Sequence, residues 1–126
     1  MSANHVKRNK VFISYTLLDS IVDRDLLSKV YANITSQLDT FIDLINNDSA
    51  DKQNRVMSEL RTSQYLCVLD TPSIRQSIWV KKEIEEAHNL NIPIYYVPLD
   101  TKNGDNAKKI VLFIKQHIME DKNDSR

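Results

Sequence analysis

The sequence predicts an α/β fold, in which helices cover both faces of a mainly parallel sheet of four or five strands. Short apolar runs rich in β-formers alternate along the chain with segments whose apolar residues recur at helical spacing. The run at residues 65–69 is apolar throughout, which is typical of a central strand buried on both faces. At 126 residues we expect one domain at residues 10–119, with flexible ends at 1–9 and 120–126.

The four predicted strands are short runs of apolar and β-branched residues bounded by polar or turn-forming residues. They lie at residues 11–15, 40–45, 65–69 and 92–98. Pro93 and Pro98 lie near the ends of the fourth run, where a lost ladder hydrogen bond matters least. Because a helical segment separates each run from the next, we expect the strands to pair in parallel.

The four predicted helices carry apolar residues three or four positions apart, so each has one apolar stripe. They lie at about residues 20–37, 53–61 and 78–89, and from about residue 105 onward. Asp19 or Ser20 can cap the first helix and Ser77 the third, because these side chains accept hydrogen bonds from free backbone amides, and Asp105 can start the last helix.

Composition excludes several classes of function. Seventeen basic and 17 acidic residues give zero formal net charge, so we expect neither a nucleic acid nor a membrane surface as partner. The single glycine, Gly104, excludes phosphate-binding loops that need two or three glycines. The single Cys67 excludes an intramolecular disulfide, and the scattered histidines do not form a metal site with it. Without a signal peptide or a spanning apolar run, we expect a cytoplasmic protein.

A binding site in such a sheet is expected beyond the carboxyl ends of the strands, where the strand order reverses. The loops that would meet there are residues 16–20, 46–51 and 70–77. On the third helix, Trp79 and Glu83 are four residues apart and therefore share one face. A carboxylate beside an indole can hold a cation or a sugar. The alternative is that Trp79 covers the sheet edge and Glu83 is an ordinary surface acid.

These segments, taken in order, resemble the Toll/interleukin-1 receptor (TIR) domain family. Val11-Phe-Ile-Ser-Tyr15 followed by Asp19 is similar to its opening strand, and Ser77-Ile-Trp79-Val-Lys-Lys-Glu83-Ile to its third helix. Residues 41–43, 63–69 and 92–94 resemble its second, third and fourth strands. The resemblance covers about residues 10–99 and implies a flavodoxin-like fold in a stand-alone protein of bacterial type.

The resemblance implies one of two functions. Some TIR domains cleave NAD at the nicotinamide–ribose bond, as NAD glycohydrolases or ADP-ribosyl cyclases, and release ADP-ribose or a cyclic or rearranged nucleotide signal in defence or cell death. Their catalytic glutamate follows an aromatic residue by four positions, which implies that Glu83 after Trp79 is catalytic and NAD is a substrate rather than a cofactor. Other TIR domains are non-catalytic modules that self-associate or bind a signalling partner.

Further substrate contacts are expected at the strand ends. Besides Trp79, the expected contact residues are Ser14, Tyr15, Thr16, Asp43, Asn46 and Asp70. The alternatives are that Tyr15 belongs to the core, Ser14 satisfies backbone groups, Asp43 is a helix or turn partner and Asp70 caps a loop. Asp19, Asp43 and Asp70 could also mimic the acidic cluster of a receiver domain. The third predicted strand, however, is followed by Asp70-Thr-Pro rather than by a convincing phosphoacceptor loop.

Three features depart from the TIR pattern. The gating loop at residues 46–51 has no glycine, and no basic residue follows Tyr15 to meet a pyrophosphate. The chain beyond the fourth strand is short, so we expect the family's fifth strand and fourth helix to be reduced or lost.

Overall fold

Four parallel strands form one sheet at the centre of the protein. The computed structural model describes residues 9–48 and 50–119. The strands are β1 (Lys10–Ser14), β2 (Asp39–Ile42), β3 (Tyr65–Asp70) and β4 (Ile94–Pro98). Their order is β2-β1-β3-β4 and each neighbouring pair is parallel. This is the flavodoxin-like arrangement, so the predicted fold class is confirmed. Residues 1–8 and 120–126, at the two ends expected to be flexible, lie outside the described residues.

Helices connect the strands. They are α1 (Arg24–Ile34), α2 (Asp43–Asn46), α3 (Lys52–Arg61), α4 (Ile78–Asn89) and α5 (Asn106–Ile114). Both α2 and α3 lie between β2 and β3. A 3₁₀ turn at Ile74–Gln76 precedes α4, and a π-helical turn at Lys115–Met119 continues α5. Helix α4 has the predicted bounds. The predicted cap is confirmed, because the side chain of Ser77 accepts a hydrogen bond from the backbone N–H of Val80 at 3.2 Å.

The predicted start of the first helix was wrong. Helix α1 begins at Arg24 because its cap is Asp23, whose carboxylate accepts from the backbone N–H of Leu26 at 2.9 Å. Ser20 has φ of 65°, a left-handed conformation that does not continue into a right-handed helix. The segment around residues 19–22 is therefore a loop between β1 and α1.

The predicted end of the second strand was also wrong. Strand β2 ends at Ile42, and the next four residues form the single turn α2. The side chain of Asn46 accepts a hydrogen bond from the backbone N–H of Ile42 at 2.8 Å. This backbone N–H is therefore bonded to a nearby side chain. The chain therefore leaves the sheet after Ile42, and the backbone N–H of Leu44 in α2 donates to the hydroxyl of Tyr15, the residue that follows β1.

The two faces of the sheet are covered by different helices. Val11 and Ile13 of β1 pack in the core with α1 and α5, whereas Phe12 packs in the core with α3 and α4. Since successive side chains in a strand point to opposite faces, Ser14 lies on the same face as Phe12. The last residue of β1 is thereby placed against α4.

Candidate functional site

A cavity of about 580 Å³ opens at the carboxyl end of β1. Its walls come from the end of β1 and the following loop, from the starts of α2 and α3, and from the first turns of α4. Strands β2 and β3 lie on opposite sides of β1, so the strand order reverses at this point. The cavity thus lies where an open parallel sheet is expected to bind a ligand.

The cavity brings together six of the eight residues that the sequence singled out: Ser14, Tyr15, Thr16, Asp43, Trp79 and Glu83. Asn46 and Asp70 are not among its described lining residues. The side chain of Asn46 accepts from the amide of Ile42, and Asp70 lines a separate cavity of about 370 Å³ beside β4. Neither residue therefore belongs to the cavity wall that the other six form.

Glu83 is a buried acid, with only 8% of the residue exposed. Helix α4 carries it on the same buried side as Val80 and Ala87. The hydroxyl of Ser14 donates a hydrogen bond to Oε1 of Glu83 at 2.6 Å, across 69 positions of sequence. The alternative that Glu83 is an ordinary surface acid is therefore wrong, because the carboxyl lies inside the cavity wall.

Burial raises the pKa of Glu83 from an ordinary 4.5 to about 7. The hydrogen bond from Ser14 lowers the pKa, because it favours the charged form, and the negative charge of Asp43 raises it. Such shifted pKa values cluster at functional sites, so this carboxyl inside a cavity is a candidate functional group.

Tyr15 joins the first strand to the short helix α2. Its ring packs against the core on the α1 side, and its hydroxyl oxygen accepts from the backbone N–H of Leu44 at 3.0 Å. Burial raises the pKa of Tyr15 to about 12, so the phenol is neutral at physiological pH. Asp43, on the same short helix, accepts from the side-chain amide of Asn47 at 2.6 Å. These contacts fix one wall of the cavity.

The family model for the TIR-like domain of the Thoeris protein ThsB matches residues 12–104. The chain belongs to this family. The match covers more than half of the chain, including every described residue that lines the cavity at the carboxyl end of β1. The resemblance to TIR domains is therefore confirmed. No curated protein matches the chain.

Lys52 is a cavity residue of this TIR-like domain that the sequence analysis missed. It is the first residue of α3, it lines the cavity, and its Nζ donates to the backbone oxygen of Asn47 at 2.7 Å. The family pattern places a basic residue in the segment after Tyr15, and Lys52 lies far from that segment in the sequence. Asp51 caps α3 by accepting from the backbone N–H of Asn54, and this cap was the signal that places Lys52 at the helix start.

Exposed apolar side chains lie at the mouth of the cavity. Trp79 is 50% exposed, and Leu17, Leu18 and Ile78 are also largely exposed while lining the same cavity. The ammonium group of Lys82 lies 4.6 Å from the centre of the Trp79 ring. The mouth therefore combines an exposed apolar surface with a positive charge beside the Trp79 ring.

The described part of the TIR-like domain lacks three other features: a metal-binding cluster, a reactive thiol and a membrane-spanning helix. Residues 9–48 and 50–119 contain no group of three histidine, cysteine or acidic side chains that could hold a metal ion. Cys67 is buried in β3, and burial raises the pKa of its thiol to about 12, so it is a poor nucleophile. No helix among these residues is long and apolar enough to cross a membrane.

Proposed function

We propose that this TIR-like domain cleaves the bond between nicotinamide and ribose in NAD, with Glu83 as its catalytic residue. The observation that carries the proposal is the buried carboxyl of Glu83 in the wall of a cavity that also contains the indole of Trp79. A cavity of about 580 Å³ falls within the ~300–1,000 Å³ of typical small-molecule sites.

The chemistry needs one well-placed carboxylate. When the bond breaks, its electron pair goes to the ring nitrogen of nicotinamide, which leaves as a neutral molecule because it starts as a cation. The ribose carbon becomes oxocarbenium-like and positive, as in glycoside hydrolysis. The carboxylate of Glu83 stabilises this charge until water attacks and loses a proton, which gives ADP-ribose. Attack by another nucleophile of the same dinucleotide gives a cyclic or rearranged nucleotide.

The remaining lining residues provide a binding surface for NAD. Trp79 offers its exposed face to a planar base, and Thr16 and Asp43 offer oxygens to ribose hydroxyls. Lys52 supplies positive charge for the pyrophosphate. Asn46 is not part of this proposal because it does not line the cavity, and the same holds for Asp70.

The nucleotide product would act as a signal in defence, and membership in the ThsB family supports this role. A cytoplasmic location belongs to the same proposal, because NAD is an intracellular metabolite and the only cysteine of the chain is a free thiol. A receiving effector protein is then the natural partner.

The second candidate function is a non-catalytic module that binds a second copy or a signalling partner. The observation that favours it is the exposed apolar surface at the mouth of the cavity, formed by Leu17, Leu18, Ile78 and Trp79. Exposed apolar clusters of this kind are typical of protein–protein contacts.

One experiment separates the two functions. Purified protein at high concentration, with a macromolecular crowder, is incubated with NAD, and nicotinamide release is followed by chromatography while mass spectrometry identifies the nucleotide product. We expect Glu83→Gln to reduce turnover by about 10²–10³-fold, the loss seen when one electrostatic stabiliser is removed. The matched control is Glu86→Gln on the same helix, whose carboxylate pairs with Arg61 and does not line the cavity. Turnover that survives in folded Glu83→Gln protein would contradict the assignment.

A further inference from the structure

We infer that Ser14 is a positioning residue, whose hydroxyl holds one carboxyl oxygen of Glu83 so that the other faces the reacting ribose. This inference rests on the proposed NAD cleavage, and it changes the role of Ser14 from substrate contact to support of the catalytic acid. The direct observation is the hydrogen bond of 2.6 Å from Oγ of Ser14 to Oε1 of Glu83.

Ser14 is a firm anchor because of its place in the fold. It is the last residue of β1, a strand that pairs with β2 on one side and β3 on the other, and Ser14 itself is paired with Val68 of β3. Only 1% of Ser14 is exposed. Its side chain has a single rotatable bond to the oxygen, so the position of the hydroxyl follows from the backbone of the central sheet.

Glu83, in contrast, has a long side chain with three rotatable bonds. Its backbone is fixed by α4, but the backbone alone leaves several directions open to the carboxyl group. The contact with Ser14 links the helix to the sheet and selects one of these directions. A catalytic carboxylate acts best when its geometry is fixed before the substrate arrives.

The same hydrogen bond affects the charge of Glu83. A hydroxyl that donates to a carboxylate favours the ionised form, and here it counteracts the effects of burial and of Asp43. The other ionisable groups that line the cavity are Tyr15 after β1, Asp43 on α2 and Lys52 on α3. Tyr15 is neutral at physiological pH, so among the described residues of the cavity wall the charged groups are Asp43, whose charge acts on Glu83, and Lys52.

The first test uses the free protein, so it does not depend on NAD cleavage. The carboxyl of Glu83 is titrated by ¹³C NMR in wild type, Ser14→Ala and Ser14→Thr. We expect Ser14→Ala to raise the pKa of Glu83 above its wild-type value, and Ser14→Thr to restore it because the hydroxyl returns. The matched control is Ser63→Ala, which removes another buried hydroxyl, one that donates to the backbone oxygen of Glu59 outside the cavity. An unchanged or lower pKa in Ser14→Ala overturns the inference.

The second test separates positioning from substrate binding. In a positioning role, Ser14→Ala moves the acid limb of the rate profile to higher pH and lowers kcat about tenfold at pH 6, with KM for NAD nearly unchanged. A rise in KM with an unmoved acid limb would make Ser14 a substrate contact and overturn the inference. If the wild type cleaves no NAD, the proposed function fails, whereas the NMR titration still decides whether Ser14 controls Glu83.

Discussion

Replacing Glu83 by glutamine should stabilise the fold at alkaline pH. The folded protein raises the pKa of Glu83 from an ordinary 4.5 to about 7, chiefly through burial. The folded state therefore holds the proton more tightly than the unfolded chain does. The stability that comes from the protonated side chain is complete below about pH 4.5, is lost as the pH rises towards about 7, and stays lost above it.

The size of the effect follows from the same two values. The rise in pKa from 4.5 to about 7 means that the free energy of unfolding is about 3 kcal/mol smaller when Glu83 is charged than when it is neutral. Glutamine has nearly the same shape, carries no charge, and its side-chain oxygen can still accept the hydrogen bond from Ser14. We therefore expect Glu83→Gln to exceed wild type in free energy of unfolding by up to about 3 kcal/mol at pH 8, and by little at pH 4.5.

The assay is urea unfolding of both proteins at several pH values between 4.5 and 8. The difference between the two curves isolates Glu83, because every other titrating group is common to both proteins. The control Glu86→Gln removes a partly exposed ion pair with Arg61 and should change stability by no more than ~1 kcal/mol, with little dependence on pH. If the stability difference between Glu83→Gln and wild type is the same at pH 4.5 and pH 8, the reasoning about the buried carboxyl is refuted.

Three further changes test other parts of the structure. Lys52→Met should raise KM for NAD about tenfold with kcat nearly unchanged, measured by initial rates against Lys108→Met, which does not line the cavity. Tyr15→Phe leaves the backbone N–H of Leu44 without its acceptor, so it should lower the free energy of unfolding by about 1–3 kcal/mol in urea titrations; an unchanged value would show that water replaces the hydroxyl. Asp23→Ala removes the cap of α1 and should cost about 1 kcal/mol in the same assay, whereas a loss near zero would contradict the capping role.

The sequence predicted those parts of the fold that depend on local pattern. The alternation of apolar runs and helical stripes gave the parallel α/β class, and Ser77 before an apolar stripe gave the bounds of α4. The start of α1 was missed because Asp19 and Asp23 are equally good caps by residue type. Their roles are separated by a tertiary contact, in which the carboxylate of Asp19 accepts from the backbone N–H of Ser73 at 2.8 Å.

The sequence predicted most of the residues that line the candidate site, but not how their side chains are arranged. Helical spacing placed Glu83 on the same face of α4 as Trp79, but spacing alone does not determine how deeply its side chain is buried. Its carboxyl accepts a hydrogen bond from Ser14, which is 69 positions away and comes close only when the sheet has formed. Lys52 was missed because it is far from Tyr15 in the sequence. The start of α3 and the end of β1 meet at the cavity only in the folded protein.

The energetics of Glu83 are themselves an argument for function. A buried carboxyl with a pKa of about 7 weakens the fold at neutral pH, and a glutamine would keep the hydrogen bond without that penalty. A structural role alone does not require the negative charge. A cation in the cavity would reverse the balance, because it favours the ionised form that burial disfavours. The positive charge of the nicotinamide ring, and then of the ribose as the bond breaks, is a charge of this kind.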